Sequence, residues 1–220
     1  MVAVSSGRTR AAAAKAEAKN HLERLLWDLG YARVAGVDEV GMGPLAGPVV
    51  AAAVVCAPGS CELALRDSKR LTAARRESLD GEIRATALSV AVGVVEVSEL
   101  DRAGIHRAGL EAMRRAVHAL RPEPDYLLVD ARRVPGVEVG QSYYDGADGF
   151  VYSVAAASIV AKVYRDSIMK RLDERFPGYG LGRHMGYGTV AHMDALNTLG
   201  PSPVHRRSFA PVKKLLGVVG

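Results

Sequence analysis

The sequence predicts an α/β domain built around a mixed sheet. Short valine-rich runs typical of buried strands follow one another early in the chain, at 33–39, 48–56 and 88–96. Segments of helical length then alternate with further strand-like runs. The chain has 220 residues, 49% of them hydrophobic, which is enough for one domain with a sizeable core.

The first thirty residues are predicted to form an extension outside this domain. Residues 1–10 are small and polar and are expected to be disordered. Residues 11–29 are rich in alanine, lysine, glutamate and leucine, which favour a helix, and Gly30 is placed to end it. The segment is either a packing helix or a variable extension, and it carries no recognisable chemistry.

Residues 31–176 are predicted to form the domain itself. A fourth strand ends at Asp130 in PDYLLVDA, and a fifth covers 137–143. The helices of the domain are predicted at 72–86, 98–120 and 152–176. Residues 177–220 are loop-rich and basic, with shorter helices predicted near 189–199 and 211–217.

Charge and composition narrow the class of protein. Lysine and arginine number 29 against 24 acids, a formal net charge of +5, which favours an anionic partner such as nucleic acid. The two cysteines have a C-x4-C spacing without a second pair, which argues for reduced thiols rather than a zinc site. Neither a membrane-length apolar run nor the hydrophobic core of a secretory signal is present. We therefore expect a soluble, cytoplasmic protein.

Three acids stand at predicted strand ends, and a fourth lies on the long predicted helix. Asp38 and Glu39 follow an apolar run, Asp130 follows YLLV, and Asp166 shares one helical face with Lys162 and Ser158. Clustered carboxylates suit a hard cation such as Mg²⁺ or Mn²⁺. Two such ions about 4 Å apart activate water and stabilise the leaving oxygen in phosphodiester hydrolysis.

A simpler interpretation stays open for the same acids. Acids at strand ends are often solvated or cap a neighbouring element, and acids on a helix surface are usually solvated. Strand alternation also directs Asp38 and Glu39 to opposite faces of the sheet. Both serve one site only if the strand ends or twists there, which Gly41 permits.

Several motifs, in order and spacing, resemble the bacterial ribonuclease HII family over roughly residues 31–217. They are GVDEVGMGPLAGPVVAAAVV, DSKRL at 67–71, LLVDA at 127–131, SVAAASIVAKVYRD at 153–166, GYGT at 186–189 and HRRSFAPVKKLLG at 205–217. The resemblance implies an RNase H-like fold, with a central mixed five-stranded sheet flanked by helices. It also implies a small helical C-terminal extension, residues 177–220, that completes the substrate-binding cleft.

The resemblance implies metal-dependent cleavage, by a two-metal mechanism, of RNA paired with DNA. Incision 5′ to single ribonucleotides embedded in duplex DNA is included, with 5′-phosphate and 3′-hydroxyl products. Asp38, Glu39 and Asp130 occupy the family's metal-binding positions, and Asp166 is its fourth catalytic carboxylate, with Mg²⁺ or Mn²⁺ as cofactor. RNA–DNA hybrids and ribonucleotide-containing duplexes are the implied partners, and we expect a monomer.

Further positions match the substrate contacts of the family. Gly41, Met42 and Gly43 hold the turn that reads the 2′-hydroxyl through main-chain groups, and Tyr187 matches a tyrosine that stacks near the sugar. Lys69 matches a phosphate contact. Ser158, Lys162 and Arg165 either touch the phosphodiester or balance the acids as structural ion pairs.

Other basic residues are assigned less specific roles. The cluster of His205, Arg206 and Arg207 either binds the nucleic-acid backbone or is a solvated face. His184 and His192 lack metal-ligand spacing and are expected to be loop or core polar residues.

The turn departs from the family at its centre, where Met42 replaces the usual arginine. If the turn acts through its backbone, reading of the 2′-hydroxyl survives, but a contact from the arginine is lost. Three hypotheses follow: an active ribonuclease of this type, a catalytically weak paralogue that chiefly binds hybrids, and another metal-assisted phosphoryl hydrolase on the same fold.

Overall fold

The computed structural model describes residues 20–59, 65 and 71–217. Within them, one five-stranded sheet has the order β3-β2-β1-β4-β5. Its strands are β1 (Val34–Val40), β2 (Val49–Cys56), β3 (Ser89–Val95), β4 (Tyr126–Asp130) and β5 (Gly140–Tyr144). The first three pair antiparallel, whereas β4 runs parallel to β1 and to β5. The predicted mixed sheet is therefore confirmed.

Eight α-helices are described in this part of the chain. They are α1 (His21–Asp28), α2 (Ala73–Thr86), α3 (Val97–Ala103), α4 (Ile105–Ala119), α5 (Tyr152–Arg175), α6 (Leu181–His184), α7 (Val190–Leu199) and α8 (Ala210–Leu215). The helical signal predicted around 98–120 is divided between two helices. Gly104 adopts φ +84°, its amide closes α3 on the carbonyl of Leu100, and α4 begins immediately after it. The expectations for residues 1–10 and 11–19 lie outside the described residues.

The sheet is covered on both faces, and glycine allows one helix to lie close on each side. A Cβ at Gly36 of β1 would come within 2.0 Å of the carbonyl carbon of Ser153 in α5. On the other face, a Cβ at Gly93 of β3 would come within 2.1 Å of the carbonyl oxygen of Ala112 in α4. Both helices therefore lie directly on the sheet backbone, which sets the height of α5 above β1.

The N-terminal helix α1 contributes a cap to α5 from a distance in sequence. Glu23 is fully buried, and its Oε1 accepts hydrogen bonds from the amide and the hydroxyl of Ser153, each at 2.7 Å. A carboxylate at this position complements the positive end of the α5 dipole. Burial raises the pKa of Glu23 above its usual value, and the Ser153 hydrogen bonds partly offset that rise.

The C-terminal region packs on the loop that follows β1. A small core joins Leu45 and Ala46 of that loop to Met169, Leu181 and Val212. Backbone hydrogen bonds connect the same loop to Gly186, Val204 and Arg206. The C-terminal region therefore holds in place the loop that contains the glycine-rich turn. None of the helices in the described ranges is long and apolar enough to cross a membrane.

Candidate active site

Three of the four predicted acids lie at one end of the sheet. The parallel strands β1 and β4 pair from Val34↔Tyr126 to Val37↔Val129, so Asp38 and Asp130 follow at the same level. Glu39 is the next residue of β1. The carboxyl ends of two parallel neighbouring strands thus bring Asp38, Glu39 and Asp130 together.

Asp38 and Glu39 nevertheless leave β1 on opposite faces of the sheet. Asp38 accepts a hydrogen bond from the Ser158 hydroxyl of α5. Glu39 faces α4, where its Cγ lies 3.9 Å from the position of a Cβ on Gly109. The strand stays paired through Val40↔Val50, so the bend at Gly41 comes after the two acids. Strand alternation, raised as an objection from the sequence, is therefore observed.

The electrostatics of the acids are dominated by burial and by mutual repulsion. Burial, followed by the charges of Glu39 and Asp130, raises the pKa of Asp38 well above its usual range, and the Ser158 hydrogen bond partly offsets this. Burial and Asp130 likewise raise the pKa of Glu39, although the Arg132 guanidinium lowers it. Asp148, buried in a short 3₁₀ turn, adds to the repulsion on Asp38.

These carboxylates fit a divalent cation by their chemistry. Within the described residues, Glu39 Oε2 is buried without a hydrogen-bond partner, and a cation would satisfy it and relieve the repulsion among the acids. Oxygen donors are those that Mg²⁺ and Mn²⁺ prefer. In the same part of the chain, no three histidine, cysteine or acidic side chains are gathered closely enough to hold a metal. The opposite directions of Asp38 and Glu39 are consistent with this, so the acids would have to draw together around an ion.

The fourth predicted acid, Asp166, is engaged by basic partners. Lys162, one turn earlier on α5, donates to Asp166 Oδ1 at 2.5 Å. Arg76 of α2 lies 4.0 Å from Asp166 Oδ2 and donates to the carbonyl of Leu71 at 2.6 Å. Two cations therefore stand beside this acid.

An open groove of about 500 Å³ connects these features. It is lined by Glu39, Val40, Gly41, Met42, Gly43, Arg76, Ser158, Lys162, Arg165 and Tyr187. Eight of the twelve residues predicted to form the site thus face one space. Lys69 lies outside the described residues, and its role stays a prediction.

Two buried arginines organise the glycine-rich turn through its carbonyl groups. Arg165 donates to the carbonyl oxygens of Pro48, Met185 and Ala46, each at 3.1 Å. Arg206 donates to Gly41 at 2.6 Å, Gly47 at 2.9 Å, Pro48 at 3.2 Å and Met42 at 3.3 Å. Burial lowers the pKa of both guanidinium groups, that of Arg206 to about 9. Of the alternatives left open for Arg165, this geometry favours a structural role, in which carbonyl groups rather than carboxylates accept its hydrogen bonds.

With its carbonyls drawn inward, the turn leaves its amide groups available. Within the described residues, the N–H groups of Gly41, Met42 and Gly43 donate to no acceptor. At Gly41 φ is +91°, and a Cβ would lie 2.4 Å from Arg165 Nε. At Gly43 a Cβ would meet only the Tyr187 ring, at an ordinary 3.6 Å. Tyr187 is half exposed at the groove and faces Gly43.

Met42 turns away from the groove floor toward α4. Its Sδ lies 3.0 Å from the position of a Cβ on Gly109, and its side chain packs against the core on that face. It also lines a second, smaller cavity of about 150 Å³ that contains Glu39, Asp130 and Arg132. The absence of a side chain at Gly109 makes room for Met42.

Several residues of this site have no recognisable signal in the sequence. Arg76 carried no signal that separates it from the exposed Arg75 beside it. His205 and Arg206 were considered as part of a surface cluster, but they are 1% and 0% exposed. Tertiary contacts bury them, those of Arg206 with the loop after β1 and those of His205 with Tyr179 and His192, so no local pattern reveals their burial.

Comparisons with known proteins show the family and the fold to which this chain is similar. The family model described as Ribonuclease HII matches residues 35–212. The ribonuclease HII of Myxococcus xanthus (strain DK1622) is 52% identical over 197 residues, covering 89% of this chain and 67% of that protein. That of Geobacillus kaustophilus (strain HTA426) is 50% identical over 194 residues, covering 88% and 74%. The crystal structure of ribonuclease H2 from Pyrococcus horikoshii OT3 superposes with a TM-score of 0.72 at 27% identity, covering 83% of this chain and 96% of that one. The predicted RNase H-like fold is therefore confirmed.

Proposed function

Because the chain belongs to the ribonuclease HII family, and is thus a ribonuclease H endonuclease for RNA–DNA hybrids, we propose that it also incises duplex DNA 5′ to a single embedded ribonucleotide. The proposed products carry 5′-phosphate and 3′-hydroxyl ends. The observation that carries the proposal is one groove in which Glu39, the open main-chain turn and the exposed Tyr187 lie together, at the end of the sheet where Asp38 and Asp130 also lie.

Asp38, Glu39 and Asp130 are proposed to hold the divalent metal on which the family depends, together with Asp166. When bound, Mg²⁺ or Mn²⁺ lowers the pKa of a coordinated water and neutralises charge on the phosphodiester. Ser158 orients Asp38 through its hydroxyl, and the Ala147 amide orients Asp130 by donating to Oδ1 at 2.7 Å. These contacts keep the two carboxylates directed at the same end of the sheet.

The turn is proposed to distinguish RNA from DNA. A 2′-hydroxyl both donates and accepts, and the amide N–H groups of Met42 and Gly43 offer it donors for which the described part of the chain supplies no competing acceptor. Tyr187 lies beside Gly43, so a sugar seated across the two residues contacts both the amide and the aromatic ring.

Cations along α2 and α5 are proposed to position the scissile strand. Lys162 and Arg76 line the groove, and both already neutralise Asp166. Charge-assisted contacts of this kind hold phosphates without reading the base. Lys69 remains a proposed phosphate contact on the basis of its sequence motif.

Cleavage of three matched duplexes tests the proposal. The substrates are an all-DNA duplex, the same duplex with one ribonucleotide, and an RNA–DNA hybrid, each with Mg²⁺ or Mn²⁺ and with EDTA. We expect metal-dependent incision 5′ to the ribonucleotide, intact all-DNA duplex, and loss of at least about 100-fold in rate in Asp38→Asn.

Two outcomes would contradict it. If the protein cleaves the hybrid but does not incise at the single ribonucleotide, the proposed activity on embedded ribonucleotides is wrong, whereas the family assignment still holds. Tight hybrid binding that survives Asp38→Asn, without turnover in the wild type, supports the paralogue that only binds.

A further inference from the structure

Three histidine rings are packed together behind Tyr187. They come from α6, α7 and the segment before α8, as His184, His192 and His205. The ring centroids of His184 and His192 lie 4.4 Å apart, and those of His192 and His205 lie 5.2 Å apart. His192 and His205 are buried, and the proposed catalysis uses none of the three rings.

The hydrogen bonds of this cluster assign a proton to one nitrogen of each buried ring. The Ser202 amide donates to His205 Nδ1 at 3.0 Å, and the Ser202 hydroxyl lies 2.8 Å from the same nitrogen, so Nδ1 is the acceptor and Nε2 carries the ring proton. That Nε2 lies 3.0 Å from His192 Nε2, which therefore accepts. The proton of His192 is then on Nδ1, which donates to the main-chain carbonyl of Tyr187 at 2.9 Å.

The chain of donors thus runs one way, from Ser202 through His205 and His192 to Tyr187. His184 is consistent with it, because its Nδ1 accepts from the Gly186 amide at 3.3 Å while Nε2 donates to the Tyr179 carbonyl at 2.8 Å. The short segment that carries Tyr187 is therefore held on both sides of its main chain by neutral imidazoles.

We propose that His192 and His205 are positioning residues, which hold the main chain of Tyr187 opposite Gly43 through a donor chain that exists only while both rings are neutral. The inference rests on the proposed function, since the position of Tyr187 matters for recognition only if its ring meets the sugar. It goes further by assigning a role in substrate recognition to two side chains that do not reach the groove.

Protonation would break the chain at either ring. With a second proton on His205, its Nδ1–H would face the N–H of Ser202, so two donors would meet. With a second proton on His192, its Nε2–H would face the Nε2–H of His205 in the same way. The titratable side chains facing the pair are His184 on α6 and Tyr179, whose ring lies 4.8 Å from His205. In the described ranges, no carboxylate forms a hydrogen bond or ion pair with the three rings to stabilise a charge.

The pH range in which the chain fails follows from the burial of the rings. Burial and the neighbouring histidines lower the pKa of His205 to about 4, and burial lowers that of His192. A buried histidine with a lowered pKa is neutral in the folded protein at neutral pH. The chain is then intact at pH 7 and is lost as the pH falls toward about 4.

Nitrogen-15 NMR of the histidine rings tests the chain without reference to nuclease activity. At pH 7 we expect His205 as the Nε2–H tautomer and His192 as the Nδ1–H tautomer. The reverse assignment for either ring, or an imidazolium signal at pH 7, would overturn the inference. Loss of both tautomer signals together on acidification is the expected titration.

Binding selectivity tests the link to the substrate. The readout is the ratio of the Kd for an all-DNA duplex to the Kd for the same duplex with one ribonucleotide, measured in EDTA from pH 7.5 to 4. We expect His205→Leu to lower this ratio about fivefold or more at pH 7.5. His205→Gln keeps an N–H at the position of Nε2 but does not titrate, so it should retain more of the ratio at pH 4 than the wild type.

Matched controls separate the outcomes. His118→Gln, on the exposed end of α4, should leave the ratio unchanged. Wild-type selectivity in a folded His205→Leu protein would overturn the positioning role. If His205→Leu does not fold, a His205→Gln protein with the same pH profile of the Kd ratio as the wild type would also overturn the positioning role. A wild-type ratio near one at pH 7.5, with no incision at the ribonucleotide, would instead count against the proposed function, and the NMR tautomers would still decide whether the chain exists.

Discussion

Gly41 and Gly43 are both glycine, but for different reasons. Gly41 adopts positive φ, and Arg165 occupies the space of its Cβ, so the protein itself requires glycine there. At Gly43 φ is unremarkable, and a Cβ would make only an ordinary contact with Tyr187. Within the described residues, the folded protein has no need of glycine at position 43, which leaves close approach by a ligand as the reason for it.

Alanine should therefore reduce cleavage at position 43 and stability at position 41. Gly43→Ala should fold with an unchanged melting temperature but lose about tenfold or more in cleavage at a single ribonucleotide, because the lost contact to the 2′-hydroxyl is worth about 1–3 kcal/mol. Gly41→Ala should lower the melting temperature, since it adds backbone strain of about 1–2 kcal/mol to the clash with Arg165. Thermal melts with parallel cleavage assays check both, and equal loss of stability in the two variants would contradict the distinction.

Met42 is the residue at which an added charge is expected to change substrate binding. Its carbonyl is held by Arg206 and its side chain packs toward Gly109, so Met42→Arg should leave the turn in place while its longer side chain moves into the groove. One new phosphate contact should steepen the plot of log K against log salt by about 0.9. Met42→Leu is the control and should keep the wild-type slope. An unchanged slope in Met42→Arg would show that the side chain does not reach the phosphates.

At the level of elements, the sequence predicted those whose pattern is local. The strand β4 ends at Asp130 as predicted, and Thr72 caps α2 by accepting a hydrogen bond from the Arg75 amide. The break at Gly104 was missed because helices also tolerate glycine in their interior, so only the observed φ reveals the turn. The burial of Arg206 was missed because its carbonyl partners lie more than 150 residues away in the chain.

The contact between α5 and β1 should be the element contact most sensitive to a single methyl group. In Gly36→Ala the new Cβ would overlap the backbone of Ser153, which no side-chain rotation relieves, so we expect a loss of about 2–4 kcal/mol in the free energy of unfolding. Gly81→Ala is a matched control, because Gly81 is exposed within α2 with open space around its Cα. That change should stabilise the protein by about 0.5–1 kcal/mol. Urea unfolding measures both, and a tolerated Gly36→Ala would show that α5 moves freely on the sheet.

Across the whole molecule, the free-energy cost of burying carboxylates falls at one end of an otherwise apolar sheet. Ala35, Val37, Leu127 and Val129 are all fully buried just before the acids begin. Asp38 follows them in β1 but faces α5 on the other side of the sheet, where it is also buried and its neighbours repel its charge. Stability and function are therefore expected to oppose each other at this point, as they commonly do in active sites.

Removing one buried charge should stabilise the metal-free protein. Asn at position 38 keeps an oxygen for the Glu39 amide, which donates to Asp38 Oδ1 at 2.8 Å, and ends the repulsion with Glu39 and Asp130. In EDTA, Asp38→Asn should raise the melting temperature by about 2–4 °C, as expected for about 1 kcal/mol in a chain of this size. Millimolar Mg²⁺ should raise that of the wild type and have a smaller effect on the variant, because binding to the native state stabilises it by mass action. Asp194→Asn, on the exposed face of α7, should change neither value. A lower melting temperature for Asp38→Asn in EDTA would show that mutual repulsion does not control the energetics of the acids.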